Sequence, residues 1–242
     1  MPTHPDPTRP DVGAALFSTW DVGTPERQRA AVEAIAATWA KRPWPTPELL
    51  SYTVYAGTDG RTLLHYSQWT DEEAYHAFVR DHRQERNDEI DAAVPGIERL
   101  GLVRTRLYRS LPPEPGGQRP EPGCVVIVDV EFEGPDEARQ RAWVDAVAEA
   151  IATDDGLPSG GLAGHFHTST DGTRVINYAE WESEQAHVDA LNAAGEGIGS
   201  VTPQWHRVQH FPGLRRSSVN RYHLRWSAVR PRQSESAGHR AG

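Results

Sequence analysis

This chain is poor in cysteine, lacks any long apolar run and carries too little positive charge to balance its acids. The single cysteine, Cys124, excludes an internal disulfide framework and makes the cytosol the default compartment. It opens a valine-rich run and reads as a small buried side chain, with nothing nearby to lower its pKa. No apolar stretch approaches the roughly 20 residues a membrane span requires. Residues 1–10 are polar and proline-rich without an apolar segment, so no signal peptide is expected. Lysine and arginine number 25 against 34 acidic residues, a net charge of −9, which argues against nucleic acid or an anionic membrane as partner. A Gly-rich phosphate-binding turn is also missing.

What is present is a repeat. Thr58-Asp59-Gly60, with Tyr66 and Trp69 following, returns 112 positions later as Thr170-Asp171-Gly172 with Tyr178 and Trp181. Pro95-Gly96 is echoed by Pro212-Gly213, and Arg104, Leu107 and Ser110 by Arg221, Leu224 and Ser227. Echoes in the same order indicate a duplicated unit. Two units of this size suit the 242-residue length. The expected organisation is a disordered tail over 1–11, a first domain over 12–110, a Pro/Gly linker over 111–122, a second domain over 123–229 and a disordered tail over 230–242.

Hydrophobic periodicity and turn signals predict the same order in each copy. In the first, strands over 14–21, 50–57, 62–69 and 100–110 alternate with a helix opened by Thr24-Pro25-Glu26 and a second capped by Thr70. In the second, strands over 125–132, 162–169, 174–181 and 219–229 alternate with helices over 135–152 and 183–194. This βαββαβ order is the ferredoxin-like motif, so the fold class is α+β. On 174–181, Val175, Asn177, Ala179 and Trp181 share one face and Ile176 and Tyr178 the other, and neither face looks fully wetted. Two ferredoxin-like βαββαβ domains in tandem, packed sheet to sheet as a pseudo-twofold pair, would cover both.

The copies differ where chemistry is expected. The first has Tyr55 and His65 where the second has His167 and Asn177. His165 and His167 share a face of one hairpin strand, and Asn177 and Trp181 share a face of its partner. A tight Asp171-Gly172 turn would let His167 and Asn177 look to the same side, and His187 follows six residues after Trp181. An imidazole, an amide and an indole on an otherwise apolar face form a pocket for a small aromatic ligand. In the first copy His65, Trp69, Tyr75 and His76 offer a second lining. His165 and His167 have no third partner spaced to hold a metal, so none is expected. His206 and His210 read as a solvated helical face, and Arg215, Arg216 and Arg221 as surface or closing-strand charges.

A strand ending Asn177-x-x-x-Trp181 after an Asp-Gly hairpin, in a duplicated ferredoxin-like unit, resembles the antibiotic biosynthesis monooxygenase family of dimeric α+β barrel proteins. The resemblance spans roughly 12–110 and 123–229 and implies a pseudo-dimeric α+β barrel. It implies an oxygenase that converts a polycyclic polyketide phenol or anthrone to a quinone with O2, without metal or tightly held flavin. Asn177 and Trp181 match the family's asparagine and tryptophan, and His167 stands where some members carry a histidine. His187 replaces a tyrosine of those members, while the first copy keeps Tyr75 at that offset and departs at His65 and Tyr55. The second copy is therefore expected to hold the catalytic site. The resemblance makes His167 the base for the phenolic proton, Asn177 the ligand of the carbonyl or peroxide oxygen, Trp181 the stacking wall and His187 an aid to proton return. His165, Tyr55, His65, Trp69 and Tyr75 are the expected substrate-binding residues. Three other readings share the sequence: ring cleavage with a reduced flavin supplied by a reductase, haem degradation with His187 or His76 as axial ligand, and a non-catalytic module that shields an aromatic ligand. No nucleic-acid or membrane partner is expected, and a homodimer of the fused pair stays open.

Overall fold

Short polar signals set most element boundaries. In the computed structural model, which describes residues 3–111, 120–154, 157–193, 198, 200 and 202–230, the first strand, β1, covers Ala14–Asp21. Thr24 then caps α1 (Pro25–Ala40), its hydroxyl accepting from the Arg27 amide. β2 (Leu49–Gly57) and β3 (Thr62–Trp69) form a hairpin. At its turn Asp59 Oδ1 accepts from the Arg61 and Thr62 amides at 2.9 Å, and Gly60 takes a positive φ of 72°. The next helix is capped by Asp71 and not, as expected, by Thr70; it runs as α2 (Glu72–Phe78), a π-helical turn (Val79–Arg83) and α3 (Gln84–Ala93). β4 (Glu98–Leu111) closes the first half.

The second half runs β5 (Cys124–Phe132), α4 (Glu137–Thr153), β6 (Gly161–Ser169), β7 (Arg174–Trp181), α5 (Glu184–Asn192), α6 (Pro203–Gln209) and β8 (Leu214–Val229). The 112–119 part of the linker, the end of the expected helix at Ala194 and the tail over 231–242 lie outside the described residues.

All eight strands join in one closed antiparallel barrel of order β1-β3-β2-β8-β5-β7-β6-β4. The open sheet faces are thus covered by closure. β4 pairs with β6, and β2 pairs with β8, so each half's edge strands bond to the other half. Closure leaves no unpaired edge. Alternate residues then point to the lumen or to the helices outside. The lumen is packed by Phe17, Tyr55, Tyr66, Ile127, Ile176, Tyr178 and Tyr222, drawn from both halves. Outside, α1 and α3 cover Val54, Leu63 and Trp20, while α4 and α6 cover Val130, Phe166 and Val175. No helix among the described residues is long and apolar enough to cross a membrane.

The N-terminal segment is a departure from the expected disordered tail. Residues 3–11 lie across one barrel end. Thr3 and Ser227 exchange hydrogen bonds at 2.9 and 2.7 Å, Gln68 Nε2 donates to the Asp6 carbonyl at 2.8 Å, and the buried Arg9 donates to the Leu50 and Arg230 carbonyls. The Ser227 and Gln68 side chains and the Leu50 and Arg230 carbonyls hold this polar segment.

Inside the lumen the Tyr55 and Tyr178 hydroxyls meet at 2.6 Å, one from each half. Both phenols are fully buried, so removing either leaves the other hydroxyl without its partner. Tyr55→Phe and Tyr178→Phe are each expected to cost about 1–3 kcal/mol in urea unfolding, and the double variant less than the sum. Additive losses would mean that the pair contributes nothing.

Candidate functional site

β3 alternates strictly, and its outward set is Leu63, His65, Ser67 and Trp69. Of these, His65, Ser67 and Trp69, together with Leu16, Ser18 and Trp20 of β1 and Leu49 and Tyr52 of β2, form the floor of a cavity of ≈ 100 Å³. Its roof comes from Trp39 of α1, Tyr75 and Phe78 of α2, Arg83 of the π-helical turn, and Arg86, Asn87 and Ile90 of α3. A π turn is wider than an α turn and re-aims the side chains that follow it, which is why such turns recur beside functional clefts.

The lining is aromatic with few polar groups. Trp69 donates its indole N–H to Ser67 Oγ at 2.9 Å and packs edge-on against Tyr75. His65 is 5 % exposed, lies 4.0 Å from the Trp20 ring, and has its Nδ1 2.7 Å from the Tyr52 hydroxyl. Its Nε2 is buried without a hydrogen-bond partner. Burial lowers the His65 pKa to about 3, helped by the charge of Arg99, so the ring is neutral. The Tyr52 phenol is pushed up by burial and stays protonated. Arg86 is also 5 % exposed, lying 5.0 Å from the Trp39 ring and 5.8 Å from that of Phe78. Its Nη1 donates to the His82 carbonyl at 3.0 Å, its Nε has no partner, and it makes no ion pair with a described carboxylate. Neighbouring Arg42 takes Glu85 and Glu89 for itself. Burial lowers the Arg86 pKa, with the charge of Arg42 adding to the effect and that of Glu85 opposing it.

The second half is built differently, and the expected constellation does not assemble. The β6–β7 register pairs His167 with Ile176 and Phe166 with Asn177. His167 therefore faces the lumen, 5.1 Å from the Phe17 ring, while Asn177 faces outward. The four residues 170–173 between the strands pair an odd number with an even one, so His167 and Asn177 cannot share a face. His165 and Tyr55 also point inward: His165 Nδ1 lies 2.9 Å from Ser110 Oγ, and Tyr55 binds Tyr178. Asn177, Trp181 and His187 do lie on the outer side. His187 is 3 % exposed, packs edge-on to Trp181 at 4.8 Å and accepts from Arg221 Nε at 2.8 Å through Nδ1. Phe166, paired with Asn177 across the hairpin, belongs to the buried cluster that also holds Trp143 and Trp205. Of the expected residues, the cavity described here gathers His65, Trp69 and Tyr75, from the copy that was not expected to hold the site.

Tyr52, Trp20, Trp39, Arg83 and Arg86 were not anticipated as lining. Tyr52 stands at an even spacing from Val54 and was legible as outward-facing; the two arginines sit on a helix whose π turn no local signal announced. Among the described residues no group of three His, Cys, Asp or Glu could hold a metal ion. His206 and His210 are exposed and stack at 4.1 Å, and Arg215 and Arg216 both pair with Glu131 at 3.3 Å.

Burial lowers the pKa of His65 and His167 to about 3 and of His187 to about 4. An unfolded imidazole titrates near 6.5. Between these values the unfolded chain binds more protons than the folded one, so stability is full above about pH 7 and falls as pH drops. The slope is up to about 1.4 kcal/mol per pH unit for each histidine. Urea unfolding at pH 7.5, 6 and 5 is expected to show this decline, flattened in His167→Gln. A stability that is constant from pH 7.5 to 5 would contradict the neutral, buried state of these rings.

No protein-family profile and no curated protein sequence matches this chain. Solved structures do. An anthrone oxidase-like protein is 19 % identical with a TM-score of 0.67, covering 93 % of this chain and 96 % of its own. A candidate monooxygenase from Lactobacillus acidophilus is 7 % identical with a TM-score of 0.52, covering 90 % and 99 %. One from Fusobacterium nucleatum is 8 % identical with a TM-score of 0.54, covering 89 % and 94 %. At such identities the likeness is one of fold: this chain is built on the same α/β barrel plan as proteins described as monooxygenase-like and anthrone oxidase-like.

Proposed function

We propose that this chain is a cofactor-independent oxygenase that oxidises a polycyclic phenol or anthrone with O2 to a quinone, and that the first-half cleft is where it does so. The observation that carries the reading is the cleft itself: aromatic walls, a neutral His65 with a free Nε2, and a buried Arg86 whose Nε has no hydrogen-bond partner. A shared fold does not fix activity; the fold shared with an anthrone oxidase-like protein makes the substrate class a natural one to test. The tandem arrangement is read as two βαββαβ units, 12–110 and 123–229, fused into one pseudo-dimeric barrel.

In this scheme the cleft takes the reacting edge of the planar ring system, which packs against Trp20, Trp39 and Trp69. The substrate oxygen meets His65 Nε2. Positive charge from Arg83 and Arg86 favours the anionic form, lowering the acidity barrier of the bound phenol or anthrone, whose proton leaves to solvent. The electron-rich carbanion transfers an electron to O2, and the radical pair joins in a carbon–oxygen bond. The peroxide anion then takes a proton back from solvent and loses water, giving up the second hydrogen of the same carbon. A CH2 group and O2 thus become C=O and H2O, with no external reductant.

Oxygen uptake with an anthrone, with and without reduced flavin, tests the reading. Uptake and quinone formation without flavin are expected, with His65→Ala lowering kcat/KM by about 100-fold and Asn177→Ala by at least tenfold less. Uptake only with reduced flavin would transfer support to a ring-cleaving oxygenase. Tryptophan quenching without uptake would leave a binding module, and equal losses in the two variants would return the site to the second half.

A further inference from the structure

We propose that Tyr52 is a positioning residue that fixes His65 in the tautomer carrying its proton on Nε2, so that the imidazole meets the substrate oxygen as a hydrogen-bond donor and not as a base. The inference rests on the reading of the first-half cleft as the reaction site. It goes beyond that reading by assigning the chemical role of the imidazole in the floor.

Register brings the two side chains together. His65 stands opposite Val54 and Tyr52 opposite Ser67, so Tyr52 and His65 are diagonal neighbours on the outer face. The hydroxyl lies 2.7 Å from Nδ1, and the rings are within 16° of parallel. Tyr52 is itself clamped. Trp39 packs on it at 4.6 Å, and Trp226, from the last strand of the other half, meets it edge-on at 5.6 Å. The phenol cannot swing away without displacing both indoles.

Proton counting chooses the direction of the bond. A neutral imidazole has one N–H and a neutral phenol one O–H. If Tyr52 donates to Nδ1, the phenol proton is used and the ring proton sits on Nε2, aimed at the cleft. If Nδ1 donates instead, the phenol proton has no other bonded acceptor and the Nε2 lone pair is also unmet. The first arrangement leaves one group unsatisfied and the second leaves two, and each buried unmet group is costly. The remaining donor is met when a carbonyl or developing oxyanion enters the cavity.

The second half lacks this device. Gly164 stands 112 positions after Tyr52, and Asn177 the same distance after His65. A side chain at Gly164 would come within 3.4 Å of Phe166 and 3.5 Å of Asn177 Oδ1, and that oxygen is left buried without a partner. The phenol–imidazole pair is a feature of the first half.

The test uses the full chain with 15N-labelled histidine. Long-range 1H–15N spectra separate protonated from bare ring nitrogens, and the His65 signals are those missing in His65→Gln. Nε2 is expected to carry the proton in the native protein, and Tyr52→Phe to shift the ring toward the other tautomer while the folded near-UV spectrum is kept. With an anthrone as substrate, Tyr52→Phe is expected to lower kcat about 10- to 100-fold with KM within about twofold, and His65→Gln, whose amide still donates, to retain more activity than His65→Ala. A proton on Nδ1 in the native protein, or an unchanged tautomer in Tyr52→Phe, would overturn the proposal. If the chain oxidises no anthrone, the oxygenase reading fails by itself and the tautomer spectra still decide the role of Tyr52.

Discussion

Strand pairing in a closed barrel is the constraint on which the rest depends. Once β4 bonds to β6 and β2 to β8, every strand residue must point either into the lumen or out toward a helix. Neither half can close alone, because the acceptors and donors of its edge strands are satisfied only by the other half. That single condition assigns Tyr55, Tyr66, Tyr178, His165 and His167 to the interior, and His65, Trp69, Asn177 and Trp181 to the outside. A slip of one residue in any hairpin would exchange the two sets.

The two halves use the outer face in opposite ways. In the second, Phe166, Trp143 and Trp205 belong to one buried cluster between sheet and helices. In the first, Val54 stands where Phe166 stands, and the small side chain leaves room over His65. The roof there is a continuous helical run with a π turn in it, which brings Arg83 and Arg86 over the aromatic floor. Arg86 Nε and His65 Nε2 are left there as buried polar atoms without a hydrogen-bond partner, each at a cost. These are the costs that a cleft for a polar aromatic ligand would offset on binding.

The halves are nonetheless interdependent. Trp226 of β8 wedges against Tyr52 and Trp39, so the strand that seals the barrel also steadies the cleft of the other half. Residues 3–11 serve the same end mechanically by pinning the ends of β2, β3 and β8 through Leu50, Gln68 and Ser227.

The repeat offset, the alternation of β3 and β7, the Thr24 cap and the Asp-Gly turns were all legible in the sequence, because they depend on neighbours a few residues away. So was the even-length loop 170–173, which already separates His167 from Asn177 by parity. The position of the cleft was not legible. It depends on whether Val54 or Phe166 fills a gap, on a π turn that shifts Arg86, and on Trp39 and Trp226 arriving from distant elements. Local patterns specify which way a side chain points; only the packed structure decides how much volume remains over it and which polar atoms are left without a partner.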